Sequence, residues 1–397
     1  LGVQKAPYLA HDGGTPPTGY YGSGMSVVWN GRERLGPYRQ SAARHPFLQS
    51  RFHRSGDFCG TCHDVSNPLV GDLAHNHGAQ VPLAPGSFLG KPGGPVGSKA
   101  AFNNFPYQYG IVERTYSEYR ASRLDTTRVS AYPQLPPALQ DGALEQAHAM
   151  ALKTGKGGDY EDGTARYFTC QSCHMPPVTG KGSDKNNSPL RRDLPWHDLT
   201  GGNYWAPEAI IHLDAGNKLR LGGGLTAGEI AALRAGVDRA RRQLELAAAL
   251  QVSGRKLKVI NLTGHKLISG YPEGRRMWVN LQWLGEKGQL LREDGAYGRL
   301  AVKIGQKSMQ VESLLDLSGA NTRIYEAKLG ITSRWAARLI QLGLPAGMVL
   351  GYDRVTGAPG PTLGQLAAKP AGTVQATFHF VLNNAIKSDN RIPPYGM

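Results

Sequence analysis

The sequence predicts a mixed fold: a loop-rich and helical region over residues 1–254, followed by an antiparallel, β-sandwich-like domain over residues 255–397. Three observations predict it. Long stretches of the first half are rich in Gly and Pro with little periodicity, one strongly periodic helix closes that half, and beyond Arg255 the texture changes to short alternating stretches. A chain of 397 residues has room for two or three compact units at ~100–200 residues each.

Taken in order, residues 1 to 58 carry Gly13-Gly14-Thr15-Pro16-Pro17, an extended or turning entry with little regular structure expected. Helix-forming residues follow over Glu113 to Arg123 and Pro137 to Lys153, where Ala138, Leu139, Leu144, Ala147, Met150 and Ala151 form an apolar stripe. From Thr226 to about Gln251 the helical signal is clearest. Thr226 and Glu229 have capping-box spacing, and Ile230, Leu233, Val237 and Leu244 recur at helical intervals. After Arg255, strands are expected at Leu257 to Leu262, Met277 to Leu284, Leu300 to Ile304, Thr322 to Lys328 and Val374 to Leu382. Turns at Gly285-Glu286-Lys287-Gly288 and Asp294-Gly295 separate them, and a helix around Ser333 to Leu342 interrupts the series.

Hydrophobic residues make up 40% of the chain, and no run approaches the ~20 apolar residues of a membrane-spanning helix, so a soluble chain is expected. It starts at Leu1 with no basic and apolar leader, which fits a removed signal peptide or a start inside a longer protein. The formal charge is +15, with basic residues gathered at Lys218, Arg220, Arg234, Arg239, Arg241, Arg242, Arg255, Lys256 and Lys258. Such a surface solubilises, or it steers an acidic partner, an anionic membrane surface or an anionic polymer; nucleic acid is not expected for the reason given by the motifs below.

Those motifs are Cys59-Gly60-Thr61-Cys62-His63 and Cys170-Gln171-Ser172-Cys173-His174, and together they use all 4 cysteines. In CxxCH two thiols are spaced to add to the two vinyl groups of one haem, and the adjacent His reaches the iron as its proximal ligand. Two zinc-site halves are the structural alternative, or two disulfides. The halves lie 111 residues apart, unlike a compact zinc ribbon. With 12 His in the chain, His after both pairs has chance odds of roughly one in a thousand. Two haem c groups are therefore expected, and with them export to the periplasm or cell exterior, since haem is joined to CxxCH after the chain crosses the membrane. An exported redox protein meets little nucleic acid.

A sixth iron ligand separates an electron carrier from a haem enzyme with an open position. His265, in the glycine-flanked turn Thr263-Gly264-His265-Lys266-Leu267, is the first candidate. His197 follows, with Asp198 beside it to orient the ring. His53 comes next, and then His45, His75 and His77; Met25 and Met175 have no distinguishing context, and His379 sits in a strand pattern that suits a structural role.

The chain resembles exported bacterial multihaem c-type cytochromes of respiratory and extracellular electron transfer. The resemblance rests on Phe58 to Pro68 around the first motif, Cys170 to Pro176, His197-Asp198-Leu199-Thr200-Gly201-Gly202-Asn203, Thr263 to Leu267, Tyr271 to Trp278, and Asp389-Asn390-Arg391-Ile392-Pro393-Pro394. It implies that the Gly-His segment ahead of a β-rich region supplies a distal haem ligand, which again selects His265. Similar chains often hold further CxxCH motifs upstream and continue beyond Arg-Ile-Pro-Pro. A processed form, a part of a longer protein, or a subunit whose haems complete a chain with a neighbour's is therefore expected.

These readings favour an electron-transfer protein with bis-His, low-spin haems and not an enzyme, working with acidic redox proteins, in a homo-oligomer or larger complex or at a membrane surface. The alternative is a dihaem enzyme of peroxidase or reductase type with one open iron; its characteristic loops are not apparent, and the β-rich tail has no role in it. A structural or filament subunit overlaps the first reading.

Overall fold

The computed structural model describes residues 32–67, 110–219 and 222–397, apart from Arg39, Asp64, Glu273, Leu342 and Val381. It is 29% helical and 27% strand, so the mixed class expected from sequence holds. Most of the entry segment, with His11, Met25, His75, His77 and Arg220, lies outside the described residues.

Strands β1 (Arg34–Gly36) and β2 (Phe47–Gln49) pair in parallel ahead of helix α1 (Gly56–Gly60). Strands β3 (Ser66–Asn67) and β4 (Gly110–Ile111) pair antiparallel and lead into α2 (Thr115–Ala121). Short 3-10 turns then connect to α3 (Gly142–Thr154) and α4 (Cys170–His174). A hairpin of β5 (Pro177–Lys181) and β6 (Leu190–Pro195) precedes α5 (Ala206–Ala215) and α6 (Ala227–Glu245).

The expected stripe on α3 is used. Leu144, Ala147 and Ala151 are buried with Leu124, Val129, Tyr132 and Phe168, while Met150 is half-buried. Each buried Leu or Phe in such a cluster contributes about 1.5–3 kcal/mol relative to exposure. Helix α6 begins where the capping box places it, with the Glu229 amide donating to Thr226 Oγ1 at 3.3 Å and the Thr226 amide to Glu229 Oε2 at 2.8 Å. It ends at Glu245, six residues before the expected Gln251. Residues Ala248–Ser253 form β7 instead and pair with β8 (Lys256–Asn261) across Gly254, whose φ of +57° suits a tight turn.

That hairpin spans the boundary expected near residue 255, and Ile260 and Leu262 pack into the helical cluster with Leu144. Beyond it come β9 (Arg276–Trp278) and two antiparallel hairpins: β10 (Leu281–Leu284) with β11 (Leu290–Asp294), and β12 (Tyr297–Ile304) with β13 (Lys307–Leu314). Strand β14 (Ile324–Thr332) runs into α7 (Ser333–Gln341), and α8 (Leu363–Ala367), β15 (Val374–Ala376) and β16 (Ala385–Asp389) follow. β14 pairs antiparallel with β15, β16 and β9 in one four-stranded sheet.

The core of this half differs from sheet on sheet. Ile331 of β14 packs on Trp335, Ala336 and Leu339 of α7 and on Leu363 and Leu366 of α8. The expected strand from Val374 to Leu382 stops at Ala376; His379 lies beyond it in a turn, where its Nε2 meets the Val349 carbonyl at 2.8 Å, a structural bond.

Candidate functional site

Each CxxCH is held on one short helical turn. In α4, Cys170 and Cys173 stand at i and i+3 on one face and His174 follows. The turn starts at a capping pair: the Thr169 amide donates to Ser172 Oγ at 3.2 Å, and that hydroxyl donates to the Tyr167 carbonyl at 2.9 Å. In the first motif the amides of Cys62 and His63 both bond the Cys59 carbonyl, at 3.1 and 2.9 Å. Gly60 is buried against the Tyr116 ring, where a Cβ would lie 2.5 Å from ring carbon, so no other residue lets α1 approach α2 this closely.

The two motifs abut. Helices α1 and α4 pack together, and the neighbouring Cys59 thiol together with burial raises Cys170, while burial alone pushes Cys173 up to about 11. None of the four cysteines is in a disulfide, and among the described residues no group of three or more His, Cys, Asp or Glu converges to hold a bare metal ion. A four-thiol zinc site therefore has no geometric support.

His174 and His265 face each other with ring centroids 6.4 Å apart and planes 19° from parallel. His174 Nδ1 donates to the Thr200 carbonyl at 2.7 Å, and His265 Nδ1 to the Lys266 carbonyl at 3.1 Å. With Nδ1 committed as donor, the Nε2 lone pair is the ligating atom in each ring. Burial lowers both pKa values, His265 to about 4, so both rings are neutral at pH 7, the state a metal requires. A first-row metal ion held at about 2 Å from each ring nitrogen puts two opposed imidazole centroids roughly 6 Å apart. The spacing of the His174 and His265 centroids is close to that value, and His174 directly follows the thiols of Cys170 and Cys173.

At the first motif, His63 Nδ1 donates to Glu113 Oε1 at 3.0 Å, and this carboxylate raises its pKa. The side chain is 64% exposed. His53, expected as a ligand, sits on the 3-10 turn Arg51–Arg54 and packs its ring 5.3 Å from that of Phe58. His197 is exposed, and Asp198 does not orient it: Arg239 Nε donates to both Asp198 oxygens, at 2.8 and 2.9 Å. The segment 197–203 serves His174 instead, through the Thr200 carbonyl. Gly202 allows this by taking the close approach of Leu244 from α6, 2.7 Å from where a Cβ would stand. His45 is exposed beside Pro46, His148 stacks on Tyr132 at 4.6 Å, and Met175 is buried.

The His265 loop is fixed from behind by a charge network that sequence reading missed. Arg391 Nη2 donates to Glu118 Oε1 at 2.7 Å and to Asp389 Oδ2 at 2.8 Å, and Nη1 donates to the Ile268 carbonyl at 2.6 Å. Lys266 Nζ donates to Asp389 Oδ2 at 2.8 Å, and the Lys266 amide to Glu118 Oε2 at 3.1 Å. Leu267 and Ile392 exchange backbone bonds at 3.0 and 3.2 Å, while Asn261 Nδ2 donates to both the His265 and Ile392 carbonyls. The contacts of Glu113 with His63 and of Thr200 with His174 were missed as well, because each reaches its histidine across a loop.

Burial alone would raise Asp389, but hydrogen bonds from Arg391 and Lys266 outweigh it and hold its pKa at about 2. Its folded pKa lies below the unfolded value, so its stabilising contribution is full above pH ~4 and is lost as the pH falls toward 2. Urea unfolding should lose about 2 kcal/mol over that window from this group. Asp389→Asn should flatten the step; an unchanged step in the variant counts against the assignment.

Of the expected basic cluster, Arg239 is taken up by Asp198, while Lys218, Arg234, Arg241, Arg242, Arg255, Lys256 and Lys258 are exposed. Among the described residues no helix is long and apolar enough to cross a membrane. No family model, curated protein or solved structure matches the chain.

Proposed function

We propose that the chain is a dihaem c-type cytochrome that transfers electrons. It would hold one haem at Cys59, Cys62 and His63 and a second at Cys170, Cys173 and His174, with His265 as distal ligand of the second. The facing imidazoles of His174 and His265, beside two thiols on one helical turn, carry the reading. Haem iron, when bound, supplies the one-electron change.

The polypeptide's part is to present two neutral imidazoles with fixed tautomers, to bury them, and to hold the opposing loop on its charge network. Two protein ligands at the second centre leave no position for a substrate, which favours a carrier over an enzyme, and two imidazoles favour a lower potential than a Met ligand gives. Contact between the Cys59 and Cys170 walls supports relay between two closely spaced centres. Exposed basic residues support docking of acidic redox proteins or an anionic membrane surface, without nucleic acid. Haem attachment after export places the protein in the periplasm or outside the cell, and a homo-oligomer or larger electron-transfer complex belongs to the same proposal. So do units at 1–254 and 255–397 with a sandwich-like second unit, supported there only by its antiparallel strands.

The denatured protein should exceed the 42.8 kDa of its polypeptide by the mass of two haems. Cys170→Ser combined with Cys173→Ser should remove one of them. A polypeptide-only mass for the unaltered protein sinks the reading.

A second reading draws on the exposure of His63. At that exposure the first centre suits an enzyme of peroxidase or reductase type with one open iron. Cyanide binding to the oxidised protein, without prior reduction, would favour it.

A further inference from the structure

Behind the second motif, three arginines and two tyrosines stack in alternation. Arg191 lies 4.0 Å over the Tyr38 ring and Arg54 4.8 Å from the same ring; Arg54 also lies 4.1 Å over Tyr160, and Arg166 4.3 Å over Tyr160. Cation–π contact of this kind offsets part of the cost of burying guanidinium groups, and carboxylates must offset the rest.

Two carboxylates are present for three cations. Asp162 pairs with Arg54 at 3.0 Å, and Asp193 with Arg191 at 3.1 Å. Arg166 is 6% exposed, its Nε has no hydrogen-bond partner, and it forms no ion pair with any described residue. Asp159 accepts from the Arg166 backbone amide at 3.2 Å, but its charge is matched by Arg128 at 2.6 Å. Tyr38 and Tyr160 stay protonated because burial raises both, and burial keeps His53 neutral. One positive charge is left over in a buried place.

Arg54, Arg166, His53 and Tyr160 line a cavity of about 40 Å³ there together with Asp193, whose carboxylate pairs with Arg191 and also acts on Arg166, and Gln171 and Ser172 border it on the motif side. At ~10–15 Å³ for each water-sized group, it admits about three such groups. His53 Nδ1 is buried without a partner beside it. We propose that this cavity is a binding site for one small monovalent anion, of the size of chloride, bromide or nitrate, held by Arg166 and Arg54. Its charge balance involves neither motif histidine, although Gln171 and Ser172 of the second motif border it.

Bromide tests it on the purified, full-length protein. Crystals soaked in sodium bromide should show a bromine anomalous peak between Arg54 and Arg166. In solution, the thermal midpoint should rise saturably with sodium bromide or nitrate, by ~3 °C at a hundred times Kd, against sodium gluconate of equal ionic strength, an anion too large for the cavity. Arg166→Gln should abolish the anion-specific rise; should that variant not fold, the bromide map of the unaltered protein still decides. No peak there, density for a carboxylate of a bound cofactor instead, or an equal rise with gluconate overturns the proposal.

Discussion

Replacing Arg391 with alanine should cost about 3–5 kcal/mol of stability at pH 7, because it leaves buried Glu118 without its cation and Asp389 with Lys266 alone. Glu118 is 5% and Asp389 9% exposed at the side chain, and the Arg391 guanidinium joins them to the Ile268 carbonyl. Such a loss is a large part of the 5–15 kcal/mol that a domain has in total. Arg391→Lys should recover only part of it, since an ammonium cannot bond Glu118, Asp389 and Ile268 in the same fork. Urea unfolding of the three proteins measures both effects. A cost below about 1 kcal/mol for the alanine variant would mean that the network is solvated in solution and does not hold the His265 loop.

His265→Ala should change one of two haem centres and leave the other untouched. On the proposed function, the second centre loses its distal ligand while Cys170, Cys173 and His174 keep the haem attached. The expected result is conversion of one low-spin signal to high spin in the electron paramagnetic resonance spectrum, at unchanged protein mass. An unchanged low-spin spectrum at unchanged mass would remove His265 from the ligand set. Loss of haem mass from the unaltered protein would instead sink the function itself, so the two failures read differently.

The motifs were legible because they are local. CxxCH places its ligating atoms within five residues, and the capping box at Thr226 and Glu229 lies within one turn, so spacing alone could locate both. His265 was singled out by its flanking glycine and its resemblance to a known segment, and its ring lies 6.4 Å from that of His174. The contacts behind the histidines were not legible: Arg391 meets Glu118 across 273 residues, Glu113 meets His63 across 50, and Thr200 meets His174 across 26. Asp198 was misread for the opposite reason. Its neighbour in sequence is a histidine, but Arg239 on α6 offers a guanidinium to both its oxygens. The end of α6 was missed because the apolar run Ala247 to Leu250 fits either period, and pairing with Lys256–Asn261 decided it.

The contact between Leu267 and Ile392, with Arg391 behind it, bears on timing during biosynthesis. The groove that seats the His265 turn gains its last wall from residues made 123 positions later. A nascent chain halted between these points would carry the histidine on an unsupported loop, so on the proposed function the pairing of iron with its second imidazole waits until Arg391 and Ile392 have been made and folded back.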